Sequence, residues 1–196
     1  AGVFARMERP LILKAEPDSR PVSEDLRRML MELAALTDKL TVEWTPPSDG
    51  PERPCVRVLR ADGTDTGIAF HGVPGGHEFN SFVVGLYNAA GPGQSIDPAL
   101  AEAIAAIDRP LDLQIVVALS CTMCPELVIA AQKIAASNPL VTAKVYDVNH
   151  FPELRERYKI MSVPCLIINK AQVAFGKKTL GQLLELLAEP EAGQTG

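Results

Sequence analysis

The chain has 196 residues, of which 47% are hydrophobic and 22% charged, with 19 Lys and Arg against 24 Asp and Glu. This length accommodates one ordinary domain or two small ones, and the composition excludes a disordered or coiled-coil protein. The formal net charge of −5 argues against a nucleic-acid partner, which normally requires a basic field. The longest uncharged run, residues 79–96, contains polar side chains, proline and glycine, which excludes a membrane span.

The first half of the chain is predicted to contain four strands and two helices, because apolar residues alternate in some segments and recur at three- and four-residue steps in others. The strands are expected over residues 10–16, 41–44, 55–59 and 67–70. A first helix is expected from Ser23, which is a good N-cap residue. A second is expected over residues 78–88, with one apolar face formed by Phe79, Phe82, Val83 and Leu86.

The second half is predicted to repeat this order. An alanine-rich helix over residues 97–108 is expected to connect the halves. The remaining elements are strands over 113–119, 140–146, 165–168 and 173–175, and helices over 125–137, 152–158 and 179–188. Both halves place a Pro-Cys pair, Pro54-Cys55 and Pro164-Cys165, before their third strand. The first copy lacks the helix between its second and third strands, because residues 46–54 contain four prolines.

These elements predict an α/β protein made of two tandem copies of one fold, with a single central sheet as one way of joining them. The first copy is expected over residues 1–95 and the connecting helix within 96–110. The second copy is expected over 111–188, and a polar tail or linker over 189–196.

The segment Cys121-Thr-Met-Cys-Pro125 lies where a strongly apolar strand gives way to a helix. Two cysteines at this spacing can form a disulfide, and the N–H groups at a helix start stabilise a thiolate. We therefore predict Cys121 as the nucleophile and Cys124, one turn inside the helix, as the resolving thiol. Ser120 is a candidate cap for this helix.

A C-x-x-C pair is also half of a zinc site, which is the main alternative. A structural zinc site needs a second pair of ligands at similar spacing, and neither Cys55 nor the three histidines supply one. We therefore expect no metal site, while the redox interpretation needs only the pair itself and its strand–turn–helix context.

Ser162-Val163-Pro164 precedes a core strand about 40 residues after the cysteine pair. This is the pattern of the cis-proline loop beside a thioredoxin active site; an ordinary trans proline at a strand start is the alternative. A cis bond would leave the backbone of Val163 free to pair with an extended peptide. We predict that Val163 and Pro164, with Thr122 and Met123, bind the substrate peptide.

The second half thus resembles a thioredoxin or glutaredoxin fold, and the whole chain resembles the N-terminal domain of the alkyl hydroperoxide reductase flavoprotein subunit. In that family two fused thioredoxin-like folds carry one C-x-x-C, in the second fold. The matching segments are Leu33-Ala34, Lys39-Leu-Thr41, Phe70-His-Gly-Val-Pro-Gly-Gly-His-Glu-Phe79, Ser120–Pro125, Asn138-Pro139, Phe175-Gly176 and Thr179-Leu180.

The resemblance implies a cytoplasmic shuttle that takes electrons from a flavoprotein reductase module, fused or separate, and passes them to the disulfide of a peroxiredoxin. FAD and NADH are expected on that module, because this chain has no G-x-G-x-x-G fingerprint and is expected to bind no cofactor itself. The residues before Arg9 contain no apolar stretch long enough for a signal sequence. A stand-alone glutaredoxin-like disulfide oxidoreductase and a non-catalytic adaptor remain as alternatives.

The resemblance also makes Glu78 a catalytic residue, which reaches from the redox-inactive fold toward the cysteine pair and assists proton transfer. A helix-start glutamate that is favourable for dipole reasons alone is the alternative. Cys55 and Cys165 are expected in the core. Because Cys165 follows Pro164, we expect it near the pair, where capture of a metal by Cys121, Cys124 and Cys165 is a minor alternative.

Overall fold

The structure, a computed structural model, describes residues 2–189, and these form eight strands and seven helices. The strands are β1 Leu11–Glu16, β2 Leu40–Trp44, β3 Cys55–Arg60, β4 Asp65–His71, β5 Leu111–Val117, β6 Val141–Asp147, β7 Cys165–Ile168 and β8 Gln172–Phe175. The helices are α1 Val3–Arg6, α2 Val22–Ala34, α3 Glu78–Ala90, α4 Pro98–Ala105, α5 Cys124–Ser137, α6 Pro152–Tyr158 and α7 Leu180–Ala188. Most of the predicted tail, from residue 190 onward, lies outside the described residues.

All eight strands belong to one sheet with the order β2-β1-β3-β4-β6-β5-β7-β8. Each half contributes the same motif, in which its first strand pairs parallel with the second and antiparallel with the third. The halves are joined by parallel pairing of β4 with β6, from Ile68 opposite Ala143 to His71 opposite Tyr146. The predicted α/β fold with two tandem copies is confirmed, and the two sheets are continuous.

The two faces of the sheet carry different cores. The larger core includes inward side chains of both halves and of helices α2, α3, α5 and α7. A smaller cluster lies on the opposite face, where Tyr146 and Phe151 pack with residues of β7 and α6. The first half has no helix matching α6, as the prolines between β2 and β3 predicted. The apolar strands are therefore buried mainly through one face in the first half and through both in the second.

Two predicted details of the helices are wrong. Helix α2 begins at Val22, and Ser23 does not cap it. The Ser23 hydroxyl instead donates to Asp18 Oδ1 at 2.6 Å and accepts the Asp18 backbone N–H at 2.9 Å, which closes the turn before the helix. In α3, Phe79 is 44% exposed and its neighbour Glu78 is fully buried. The first turn of α3 faces the second half of the chain, and this reverses the expected orientation.

The connecting helix is shorter than predicted and is tied to the second half. Asp97 caps α4 by accepting the backbone N–H of Ala99 at 2.9 Å. At its other end, the side-chain amide of Asn138 donates to the carbonyl oxygens of Ile104 and Ile107 at 2.9 and 3.0 Å. Across residues 2–189, every helix is too short or too polar to cross a membrane.

Candidate active site

Helices α3 and α5 begin at the same edge of the sheet, because each follows one of the mutually parallel strands β4 and β5. This carboxyl edge is where α/β sheets usually carry their sites. The backbone N–H of His77 donates to the carbonyl oxygen of Leu119 at 2.9 Å, so the two helix starts are held together. Gly76 makes this approach possible, since it has φ +53° and a Cβ there would lie 2.7 Å from the Leu119 oxygen.

The two cysteines of the C-x-x-C differ in exposure. Cys121 is half-buried in the turn, whereas Cys124 is fully buried and is the first residue of α5, rather than one turn inside the helix as predicted. Both are free thiols. The helix has Met123 at its N-cap position and no side-chain cap, so the predicted capping role of Ser120 is wrong. The nucleophile predicted from the sequence is thus the more accessible of the pair.

The surroundings of Cys124 disfavour its thiolate. Burial raises the pKa of the Cys124 thiol well above its usual range, and hydrogen bonding to Cys121 and the charge of Glu78 raise the pKa further. A hydrogen bond with the Ala118 backbone opposes this increase in pKa without reversing it. Cys124 therefore holds its proton in the dithiol form, and it needs a proton acceptor before it can act as a nucleophile.

Glu78 is the buried carboxyl of this site. Its Oε1 accepts a hydrogen bond from the Ser81 hydroxyl at 2.5 Å, and its Oε2 has no hydrogen-bond partner among residues 2–189. Burial raises the pKa of Glu78 to about 7, against the opposing effect of the Ser81 hydrogen bond. A carboxyl with this pKa, whose charge acts on Cys124, is able to take and return a proton near neutral pH.

The Val163–Pro164 peptide bond is cis, which confirms the prediction, and the matching Arg53–Pro54 bond of the first copy is also cis. The Cys121 sulfur lies 3.9 Å from the carbonyl oxygen of Val163. Val163 is half-buried and Pro164 is buried, and both adjoin the cysteine turn.

Thr122 and Met123 are exposed at the tip of that turn, Met123 by 53%. The structure thus brings the four predicted peptide-binding residues and the dithiol to one surface.

The other two cysteines lie away from this surface. Cys165 packs in the smaller core cluster, on the face of the sheet opposite to α5, so the expectation that it lies near the pair is wrong. Alternate residues of a strand face opposite sides, and Leu166 takes the position toward the larger core. No three His, Cys, Asp or Glu side chains of residues 2–189 come together as metal ligands.

Both of these thiols are buried, as expected for core positions. Burial raises the pKa of Cys55 to about 12 and that of Cys165 to about 11. The Cys55 thiol also donates to Glu16 Oε2 at 3.4 Å, and this negative neighbour raises its pKa further. Neither thiol is suited to act as a nucleophile.

Sequence reasoning missed two features of the site. One is Ser81, whose spacing three residues after Glu78 is a signal for contact along a helix. The other is a set of exposed apolar side chains next to the dithiol, of which Met161 is 92% exposed. Single exposed apolar residues have no sequence signature, because their significance depends on which distant segments lie beside them.

A family model described as a thioredoxin domain matches residues 111–188, the half that carries the C-x-x-C. A solved protein disulfide oxidoreductase from Aeropyrum pernix has the same overall fold, with a TM-score of 0.80 over 94% of this chain and 87% of that chain at 20% identity. The chain is therefore a thioredoxin-fold protein, and its cysteine pair places it in the class of thiol–disulfide oxidoreductases.

A narrower relationship is shown by the N-terminal domain of alkyl hydroperoxide reductase AhpF from Enterococcus faecalis. Its crystal structure is 38% identical, has a TM-score of 0.89, and matches over 95% of both chains. The alkyl hydroperoxide reductase AhpF of Pseudomonas aeruginosa is 31% identical over 96% of this chain and 35% of that protein. This chain belongs to the family of the AhpF N-terminal domain. It spans about a third of the length of the curated relatives it matches.

Proposed function

We propose that this chain is an electron relay that carries reducing equivalents from the dithiol of a flavoprotein reductase to the disulfide of a peroxiredoxin. The observation that carries the proposal is the half-buried Cys121 beside the fully buried Cys124, whose proton has a carboxyl acceptor in Glu78. The names of the relatives support a peroxide-reducing system. The proposal includes a redox-inactive fold over residues 1–95, a connection within 96–110 and an active fold over 111–188.

In the first step the Cys121 sulfur, as thiolate, attacks one sulfur of the partner disulfide. A bond forms between Cys121 and that sulfur, the partner's own S–S bond breaks, and its second sulfur leaves as a thiolate. The start of α5 favours the negative charge on Cys121 before the attack. The backbone of Val163 has no partner among the backbone groups of residues 2–189, so it is free to bind the attacked peptide.

In the second step Cys124 resolves the mixed disulfide. Its proton passes to ionised Glu78, and the Cys124 sulfur then attacks the Cys121 sulfur. The Cys121–Cys124 disulfide forms, and the partner's first sulfur leaves as a thiolate and takes up a proton. The pair has given two electrons, and a dithiol of the reductase module returns it to the reduced form by the reverse sequence of exchanges. FAD and NADH act on that module, whether fused or separate.

Exposed apolar side chains around the dithiol support a protein partner. Residues 2–189 contain eight large hydrophobic side chains that are exposed, and four of them border the site. Met123 lies within the C-x-x-C, Met161 lies two residues before Val163, and Phe79 follows Glu78 at the helix start that is bonded to Leu119. The fourth, Phe175, precedes Gly176, whose N–H donates to the Pro164 oxygen at 3.0 Å. Apolar residues concentrated around a reactive group are typical of a protein-binding surface.

The relay is tested by replacing each thiol and measuring reduction of a peroxiredoxin or insulin disulfide with dithiothreitol as the donor. Cys121→Ser should abolish turnover. Cys124→Ser should stop the cycle at a mixed disulfide between Cys121 and the partner, visible as a covalent adduct on a non-reducing gel. Cys165→Ser is the matched control, because that thiol lies on the other face of the sheet, and it should keep turnover. Retained turnover in Cys121→Ser would rule out the relay and favour a non-catalytic adaptor.

A further inference from the structure

We propose that Ser81 is a positioning residue, which binds Oε1 of Glu78 and thereby leaves Oε2 as the oxygen that exchanges a proton with Cys124. The inference rests on the proposed relay and assigns a role that the C-x-x-C and the glutamate do not explain by themselves. It concerns how the redox-inactive half of the chain contributes to chemistry in the other half.

Ser81 lies one turn after Glu78 on α3 and is fully buried. Its hydroxyl is 2.5 Å from Glu78 Oε1 and 3.0 Å from the Glu78 backbone oxygen. A hydroxyl has a single proton to donate, and the shorter contact is the one to the carboxyl. With Oε1 occupied as an acceptor, the unpartnered Oε2 is the oxygen that remains to receive a proton.

The serine is itself held by the helix that carries the resolving thiol. The buried side-chain amide of Gln132 on α5 donates to the Ser81 backbone oxygen at 2.8 Å. Gly85, one turn further along α3, leaves the space for that side chain, since a Cβ there would lie 2.7 Å from the Gln132 amide. The turn containing Glu78 and Ser81 is therefore fixed to α5, and this fixes the carboxyl relative to Cys124.

Few charged or titratable groups surround this turn. From α5, Cys124 is the group whose pKa responds to the charge of Glu78. His77 precedes α3 and is exposed, and Arg6 of α1 donates to the Tyr87 hydroxyl at the far end of α3. The strands packed beneath α3 present apolar side chains to it. The Ser81 hydroxyl is thus the polar contact that supports the ionised form of Glu78.

Removal of the hydroxyl should make Glu78 harder to ionise, because a hydrogen bond to a carboxylate favours the charged form. Loss of one charge-assisted hydrogen bond corresponds to a pKa increase of about one unit. The pH at which Cys124-dependent resolution reaches half its maximal rate should rise by the same amount. At pH 7 the rate of resolution should fall about fivefold, because the ionised fraction of Glu78 falls in that proportion.

The experiment uses the full chain and follows the pH dependence of two quantities. One is the resolution rate of a mixed disulfide on Cys121, and the other is the ¹³C chemical shift of the Glu78 carboxyl. Ser81→Ala should move both midpoints upward by about one pH unit. Ser81→Thr keeps the hydroxyl and should restore them. Ser23→Ala, which removes another buried serine-to-carboxylate hydrogen bond, to Asp18 in the first half, should leave both midpoints unchanged.

Ser81→Gly provides a second variant without the hydroxyl if Ser81→Ala does not fold. Unchanged midpoints in a folded hydroxyl-free variant would overturn the positioning role. So would an equal loss of rate at every pH that Ser81→Thr does not restore, because this would identify Ser81 as a packing residue. These results leave the relay itself intact, since the relay fails only if Cys121→Ser retains turnover.

Discussion

Replacing Glu78 with glutamine should stabilise the protein at alkaline pH while impairing its chemistry. The carboxyl is fully buried at the start of α3, and glutamine has nearly the same shape but does not ionise. Its amide oxygen can still accept the Ser81 hydrogen bond. The substitution therefore removes the buried charge and leaves most of the packing unchanged.

The magnitude follows from the two pKa values. Glu78 has a pKa of about 7 in the folded protein and 4.5 as its ordinary value. Below pH 4.5 the carboxyl is protonated in both the folded and the unfolded chain, and its ionisation costs nothing. Between these values the folded state binds more protons, so the free energy of unfolding decreases as the pH rises. Above pH 7 the accumulated loss is roughly 3 kcal/mol, which Glu78→Gln should recover.

The assay is urea denaturation of the reduced wild type and of Glu78→Gln between pH 4 and pH 8.5. The difference in unfolding free energy should rise with pH by about 1.4 kcal/mol per unit between pH 4.5 and 7, and then level off. In thermal melts the full difference corresponds to roughly 6 to 12 °C for a chain of this length. Resolution by Cys124 should slow over the same pH range in which the variant is more stable.

A new unpaired amide hydrogen in the variant adds a constant cost at every pH, so the pH dependence of the difference is the diagnostic quantity. A difference that stays flat from pH 4 to 8.5 would refute the reasoning, because Glu78 would then ionise equally easily in the folded and unfolded chain. Glu24→Gln, at an exposed glutamate of α2, serves as the control and should show no such dependence.

Two further predictions use matched pairs of positions. Gly85→Ala should destabilise the protein by about 1 to 2 kcal/mol in urea denaturation, because the new methyl group displaces the Gln132 amide. Gly181→Ala, where the nearest atom is 3.7 Å away, should instead stabilise it by up to about 1 kcal/mol, and similar effects at both sites would contradict this account. Phe79→Ala should raise the KM for a protein disulfide about tenfold with kcat unchanged, as expected for an interface aromatic. Trp44→Ala, an exposed aromatic on the far edge strand, should leave KM unchanged, and equal effects of both would argue against docking at Phe79.

The elements that periodicity predicted well are those whose burial is decided by near neighbours in the chain. The strand before the C-x-x-C and the helix after it are both strongly apolar, so the position of the dithiol between them was predictable. The first turn of α3 was not. Periodicity favoured burial of Phe79, but the turn packs against α5 from the other half, and this buries Glu78 instead.

Cys165 shows the same limit in a strand. Its place directly after Pro164 suggested that it lies near the active pair. A strand sends successive side chains to opposite faces, and all four residues of β7 are buried, so the pattern of apolar residues does not reveal which face Cys165 takes. Only the position of β7 next to β5 and beneath α6 decides this, and it puts the thiol in the smaller core.

The sequence by itself determined that one thiol pair is reactive and that the fold is used twice, because a C-x-x-C between strand and helix and a repeated element order are local patterns. The tertiary structure alone decided that Glu78 of the redox-inactive copy faces Cys124. That contact joins residues 46 positions apart through the pairing of β4 with β6, which depends on burial shared by the whole sheet.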